Sequence, residues 1–220
     1  MNTRTMRLLL GCGVAAGPVY IVTGLLQVLA RDGFDVRRHA LSLLSNGEYG
    51  WIQVSNFLIA GALTIAGAIG VRRLLHPGKG GTWGPILLFT YGVGLIGAGV
   101  FIADPGAGFP PGTSAGTDGM SRSGLLHFVF GAIGFYALIA ACFVFARRFA
   151  GMARRAWAVY SAATGIFFLG AFAAIASGPA SEATMLTFYV AVAWIWVWHS
   201  ALMVTLLREL PAGGRLVPGT

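Results

Sequence analysis

Six apolar segments, none of which contains an acidic or basic residue, divide this chain of 220 residues. They span residues 8–30, 51–71, 84–103, 125–146, 157–177 and 186–207. Each has the roughly 20 residues that a helix needs to cross a hydrocarbon core of about 30 Å. Membrane strands would instead show about 10 residues of alternating polarity, which these segments lack. The sequence therefore predicts an all-α, polytopic membrane protein with a bundle of six transmembrane helices.

The composition favours a membrane environment over a soluble one. Only 10% of the residues are charged and the mean hydropathy is +0.76, whereas soluble domains carry about 25% charged residues. The formal net charge of +8 does not indicate nucleic acid, because the basic residues lie between the apolar segments and not along one stripe. We therefore expect the lipid bilayer as a partner and no nucleic acid, and no pattern indicates an oligomeric state.

The loops predict the orientation of the bundle and an asymmetry between its two ends. Eleven basic residues fall on one side, and four fall on the other, namely Arg31, Arg37, Arg38 and Arg122. The positive-inside rule then places both termini in the cytoplasm of a multi-pass protein of the cell membrane. Six of the seven acidic residues lie on the predicted outer side, namely Asp32, Asp35, Glu48, Asp104, Asp118 and Glu182. Their segregation indicates chemistry at the outer face.

Two long loops connect helices on the predicted outer side, at residues 31–50 and 104–124. In the first, Asp35 is predicted to cap a short helix whose apolar face consists of Val36, Ala40, Leu43 and Leu44. The second is rich in glycine, proline and serine, which predicts a lid or a tether without regular structure. We find no internal repeat and no second domain, so residues 1–220 are predicted to form a single six-helix transmembrane domain.

Helical spacing predicts that Asp104 and His127 lie close together. Asp104 ends a face of mostly small residues along the third helix, and His127 begins a face on the fourth with Gly131 and Gly134. Because small residues let neighbouring helices approach, the pair is predicted to act in general acid–base catalysis or to contribute to a metal site, although no metal ligand set is assigned. The structural alternative is that Asp104 forms a turn before Pro105 and that His127 binds a loop carbonyl.

Other polar residues lie at the same predicted depth, near the outer ends of the first four helices. We assign them to substrate binding: Gln27, Arg31, Asp35, His39, Ser42, Gln53 and Asn56. The alternative for each is a boundary hydrogen bond across helices. The chain has no phosphate-binding loop and no zinc-protease motif, and no cofactor is indicated. Gly92-x-Gly94-x-x-Gly97 lies inside an apolar segment and predicts helix packing, as do Gly13 and Gly17.

His199 is the other titratable residue of the apolar segments, and it lies among Trp194, Trp196 and Trp198. Aromatic residues at helical spacing are typical of packing or of lipid contact. The predicted topology places His199 in the cytoplasmic half and His127 near the outer surface. The two histidines are therefore not expected to share one metal ion.

Several short motifs together resemble those of a known family. They are Gly17-Pro18, Asp35, His39-Ala40-Leu41-Ser42, Gly47, Gly50-Trp51-Ile52-Gln53, Asn56-Phe57, Gly61, Asp104-Pro105, Gly108-Phe109-Pro110 and Gly124-Leu125-Leu126-His127. Over helices one to four the chain resembles the bacterial six-helix membrane family known as domain of unknown function 998. The resemblance implies the fold, the topology and a common site at the outer face, and it implies no particular reaction.

Two hypotheses of function follow from these features. In the first, the outer polar residues form a membrane-embedded enzyme site for a lipid or an isoprenoid, with Asp104 and His127 in proton transfer and the second loop as a lid. In the second, the same residues form a hydrogen-bond network in a lipid-binding, transport or regulatory protein without chemistry. Transport is the weaker variant, because the helix prolines Pro18 and Pro85 lie toward the cytoplasmic side and not near the midplane. The enzyme hypothesis predicts a lipid-accessible cavity on which Asp104 and His127 converge.

Overall fold

The computed structural model describes residues 3–113, 119–178 and 181–210, and in these ranges the chain forms six long α-helices and no β-strand. The helices are α1 (Thr3–Ala30), α2 (Gly50–Leu75), α3 (Trp83–Val100), α4 (Arg122–Ala150), α5 (Arg155–Ala176) and α6 (Glu182–Arg208). All six are long and apolar enough to cross a membrane. The prediction of an all-α membrane protein with six spans is confirmed. The orientation of the termini stays a prediction. Arg215, counted for the orientation, and Asp118, counted among the outer acidic residues, lie outside the described residues.

The six helices form a closed ring in which each packs against the next along the chain, and α6 packs against α1. α2 also contacts α6 across the ring, where Gly13, Gly67 and Met203 meet. A Cβ added at Gly67 would lie 2.8 Å from the Cα of Gly13, so glycine is required for this approach. Below, the end of the ring at which α1 begins is called the inner end, and the end at which α1 finishes and α2 begins is called the outer end.

Glycines of α3 pack against both neighbouring helices. A Cβ added at Gly92 would lie 2.8 Å from the carbonyl oxygen of Gly61 on α2, and one added at Gly94 would lie 2.8 Å from the Cα of Gly134 on α4. Both approaches are closer than a side chain allows. The predicted packing role of these glycines is confirmed.

α3 ends earlier than its apolar segment, and this corrects one prediction. The helix finishes at Val100, so Asp104 does not continue the small-residue face of α3. The carbonyl oxygens of Ala98 and Phe101 accept hydrogen bonds from the ring of His127 on α4. In a longer helix they would instead accept from backbone N–H groups of the next turn. The proline after Asp104 further disfavours helical backbone at that residue.

The first outer loop also differs from its prediction, because no α-helix begins at Asp35. Residues 36–38 form a turn, and Leu41–Ser45 form a short 3₁₀ helix. The Asp35 carboxylate accepts a hydrogen bond from the N–H of Arg37 at 2.9 Å, and the N–H of Asp35 donates to the ring of His39 at 2.9 Å. Because of these local bonds, the chain turns around the imidazole of His39. Leu44, in the 3₁₀ helix of the same loop, is fully buried.

Candidate functional site

A cavity of about 530 Å³ lies in the outer half of the ring. Its wall contains residues from all six helices and from both outer loops, and it is mostly apolar. The polar residues of the wall are Tyr20, Ser42, Tyr91, His127 and Tyr189. Three other wall residues, Met120, Phe128 and Ala176, are exposed at the molecular surface. They lie near the outer ends of α4 and α5, and the cavity therefore opens to the surroundings at that place.

Aromatic rings close the cavity toward the middle of the bundle. Trp196 stacks on Tyr20 with the ring centroids 4.9 Å apart, and it lies 5.4 Å from the ring of Tyr91. His199 follows one turn further toward the inner end, with its ring 5.5 Å from that of Trp196. Neither of its ring nitrogens has a hydrogen-bond partner among the described residues. The rings of Tyr20, Tyr91 and Trp196 therefore separate His199 from the cavity that His127 lines. Within the described ranges, no three His, Cys, Asp or Glu side chains cluster as a metal site would require.

The two outer loops fold together over the outer end, and residues 31–49 and 101–113 are called the outer cap here. The buried ring of His39 lies at its centre. Its Nδ1 accepts a hydrogen bond from the N–H of Asp35, and its Nε2–H donates to the carbonyl of Ala107 at 3.1 Å. The hydroxyl of Tyr189 on α6 donates to the carbonyl of His39 at 2.8 Å. His39 therefore ties both loops to each other and to α6, and both ring nitrogens are engaged in these bonds.

Arg31 makes several contacts within the outer cap. Its guanidinium donates to the carbonyls of Leu44 and Asn46 at 3.2 and 2.6 Å, and it lies 5.3 Å from the centre of the Phe109 ring. Burial lowers the pKa of Arg31 from its ordinary value, because removing water disfavours the charged form. The structure thus places Arg31 in contacts within the cap, and it is not among the cavity wall residues.

Asp104 caps the start of α4. Its carboxylate accepts hydrogen bonds from the backbone N–H of Ser121 at 2.8 Å and from the Ser121 hydroxyl. The same hydroxyl accepts a bond from the N–H of Gly124 at 3.0 Å. A Cβ at Gly124 would overlap the carboxylate, so glycine leaves room for it. A negative charge is favourable at this helix end. Asp104 is absent from the described cavity wall, and its catalytic role stays a prediction.

His127 lies about one turn further along α4, and its side chain belongs to the cavity wall. Its Nδ1 is 2.9 Å from the carbonyl oxygens of both Ala98 and Phe101 at the end of α3. Because carbonyl oxygens only accept hydrogen bonds, Nδ1 must carry a proton. Asp104 and His127 thus meet at the same junction of α3 and α4, but no hydrogen bond joins them in the described part of the chain. The observed contacts of Asp104 are those of a helix cap, and His127 binds carbonyls at the end of α3.

Three buried amides form a cluster between α1 and α2. Nε2 of Gln27 donates to Oε1 of Gln53 at 2.8 Å, and Nδ2 of Asn56 donates to the same oxygen at 3.3 Å and to the carbonyl of Tyr20 at 3.1 Å. One polar atom of each amide has no partner among the described residues. The structure therefore brings Gln27, Gln53 and Asn56 into contact with one another, and none of the three is a wall residue of the cavity. Tyr20 and Phe57 beside it belong to the wall.

The predicted site residues thus divide into two groups. His127 and Ser42 line the cavity, whereas the others hold the outer cap, the start of α4 or the amide cluster. The contribution of α6 was not predicted from the sequence, and its wall residues recur at i, i+3, i+4 and i+7: Met185, Phe188, Tyr189 and Val192. This spacing marks one face of a helix and was visible in the sequence. The predicted substrate-binding roles stay predictions.

Comparison with known proteins identifies a family. A family model described as Protein of unknown function (DUF998) matches residues 14–205. The match extends from α1 into α6, well beyond the four helices that carry the short motifs. No curated protein and no solved structure matches the chain. The family and the six apolar helices together indicate an integral membrane protein.

Proposed function

The chain belongs to the DUF998 family, and from this premise we propose that it is a lipid-binding membrane protein whose cavity receives the apolar chain of a lipid or an isoprenoid. The observation that carries the proposal is the largely apolar cavity of about 530 Å³. Cavities of about 300–1,000 Å³ with a few placed polar groups are typical of small-molecule sites. An apolar wall left empty loses its dispersion contacts, which favours occupation by a chain.

The surroundings of the cavity support a ligand that enters from the bilayer. Exposed wall residues such as Phe128 and Ala176 lie on α4 and α5, which are membrane-spanning helices. Tyr189 links the wall to the outer cap through the carbonyl of His39. The cap thus covers the outer end, while the opening lies beside the spans. This arrangement suits a chain that moves sideways from the membrane into the protein.

A variant that fills the cavity tests the proposal. Gly131 belongs to the wall, and no described atom lies within 4 Å of a Cβ added there. Gly131→Leu should therefore occupy the cavity without moving a helix. Gly170→Leu on α5 is the matched control, because an added Cβ also meets no described atom there and Gly170 is not a wall residue.

The measurement is photolabelling of the full chain in lipid nanodiscs with a hexadecanol that carries a diazirine, followed by peptide mass spectrometry. We expect label on the wall segments of α4 and α6 in the wild type and in Gly170→Leu, and loss of that label in Gly131→Leu. Equal labelling of all three proteins, or label spread over the outer faces of the helices, would contradict binding in the cavity.

A membrane-embedded enzyme is the second candidate, and one observation favours it. Ser42 and His127 line the same cavity, so a hydroxyl and an imidazole, groups that serve in nucleophilic and acid–base catalysis, would both border a ligand there. Lipid extracts of cells that express the wild type or His127→Ala at equal levels provide the test. A lipid species that depends on His127 would support catalysis, and unchanged lipids would count against it.

A further inference from the structure

We infer that the ligand of the cavity is an uncharged lipid with a hydroxyl group, held by a hydrogen bond from that hydroxyl to Nε2 of His127. This inference rests on the proposed function and adds the chemical class of the ligand. Two features of the cavity carry it. One is the absence of charge from the described wall, and the other is the position of the proton on His127.

The polar groups of the wall are hydroxyls and one imidazole. Among the described wall residues there is no Lys, Arg, Asp or Glu. The nearby charges are engaged elsewhere, since Asp104 binds Ser121 and Arg31 binds carbonyls of the outer cap. A phosphate or carboxylate inside the cavity would lose its hydration without gaining a counter-charge, and this is costly. The wall therefore selects a ligand whose buried part is neutral.

The hydrogen bonds of His127 define which ligand group suits it. Its Nδ1–H is shared between the carbonyls of Ala98 and Phe101, both at 2.9 Å. A neutral imidazole carries one ring N–H proton, and here that proton is on Nδ1. In that form Nε2, on the opposite edge of the ring, has a lone pair and no proton. Such an acceptor pairs with a ligand that donates, as a hydroxyl does and an ether or ester oxygen does not.

Three molecules with the same chain separate the chemistry of the head from the binding of the chain. They are hexadecanol, its methyl ether and hexadecanoate, each used to displace the diazirine-bearing hexadecanol from the wild-type protein in nanodiscs. We expect half-displacement by hexadecanol at a concentration about tenfold below that of the ether, the factor that one net hydrogen bond gives. Hexadecanoate should displace the probe less well than hexadecanol.

A substitution at His127 then assigns the preference to one atom. In His127→Asn the side-chain amide can still donate to the α3 carbonyls, but the group that reached the position of Nε2 is removed. We expect the alcohol-to-ether ratio to fall from about tenfold to near one, with displacement by the ether unchanged. His76→Asn, at an exposed histidine of the inner end, is the control and should keep the wild-type ratio.

The outcomes distinguish this inference from the function on which it rests. Equal displacement by the alcohol and the ether, with cavity labelling intact, overturns the hydroxyl and leaves lipid binding in place. Displacement by hexadecanoate as strong as by hexadecanol overturns the uncharged class. Absence of cavity labelling by the diazirine-bearing hexadecanol alone, without a competitor, overturns the proposed function itself. A ratio that stays near tenfold in His127→Asn overturns the bond to Nε2, and if that variant fails to fold, the wild-type ratio still decides whether the ligand needs a hydroxyl.

Discussion

The inner and outer halves of the bundle use the same six helices in opposite ways. In the inner half, α1, α2 and α6 meet where Gly13, Gly67 and Met203 are in contact. In the outer half the ring encloses a cavity of about 530 Å³. A Cβ at Gly67 would overlap backbone, whereas a Cβ at Gly131 would meet no described atom. Glycine thus closes one half and enlarges the other, so a small residue does not by itself indicate close packing.

The two ends are also held together by different interactions. At the outer end, hydrogen bonds of His39 and Arg31 join the loops of the cap. At the inner end, Glu209 pairs with Arg154 at 2.9 Å and with Arg148 at 3.5 Å. The side chain of His39 is fully buried, so its hydrogen bonds are costly to leave unmade, whereas partly exposed ion pairs contribute little. Loop contacts therefore contribute more to the structure of the outer half, which contains the cavity, than to the structure of the inner half.

The largest expected effect is that of Gly67→Leu, which would break the inner contact. The new side chain overlaps the backbone of Gly13, and we expect a loss of about 3 kcal/mol or more in stability. Thermal unfolding of the purified protein measures it. Gly131→Leu, the same substitution in the outer half, should change the melting temperature little. Similar losses in both variants would remove the distinction between the halves.

His39→Ala should loosen the outer half alone. It removes the ring's bonds to Asp35 and Ala107 and leaves empty the space that the fully buried ring fills, at a cost of about 2–3 kcal/mol. Hydrogen exchange should increase in residues 31–49 and 101–113 and stay unchanged around Gly67. His76→Ala, at an exposed histidine, serves as the control. Faster exchange throughout the bundle would show that the halves are not independent.

Asp104→Asn separates a cap from a catalytic acid. The loss of charge at the start of α4 should cost about 1 kcal/mol and speed hydrogen exchange in the first turn of that helix. Photolabelling of the cavity by the diazirine-bearing hexadecanol should persist, because the carboxylate is absent from the described wall. A lipid product that disappears with this variant, at unchanged stability, would instead support the predicted catalytic role.

The smallest expected effect is at the inner end. Glu209→Gln removes the pairs with Arg148 and Arg154, and we expect a loss below about 1 kcal/mol that shrinks further at high salt. Chemical or thermal unfolding at low and high ionic strength measures it. A loss as large as that of His39→Ala would show that both ends depend equally on their polar contacts.

The spans were predictable from the sequence because each is a long run of residues without charge, and the bilayer leaves few other structures for such a run. The end of α3 was not predictable. It finishes at Val100 because carbonyls there bind His127, which lies on another helix. The partner of His39, Ala107, is 68 residues away in the chain, and local spacing does not contain that pairing.

The cavity was the least predictable feature, because it depends on what lies opposite each helix face. Gly131 and Gly134 fall on one predicted face of α4, yet Gly134 packs on Gly94 while Gly131 borders open space. Of the polar residues that the sequence places near the outer ends, His127 and Ser42 line the cavity. The sequence could not show that the side chains of Arg31 and His39 would bind backbone groups of the outer loops.

An experimental density map of the protein in lipid nanodiscs tests the central claim most directly. The account predicts elongated density in the outer half, between α4 and α6, that ends beside Nε2 of His127. A map in which the outer halves of these helices touch, as α2 and α6 do in the inner half, would leave no room for a lipid chain and would contradict the account.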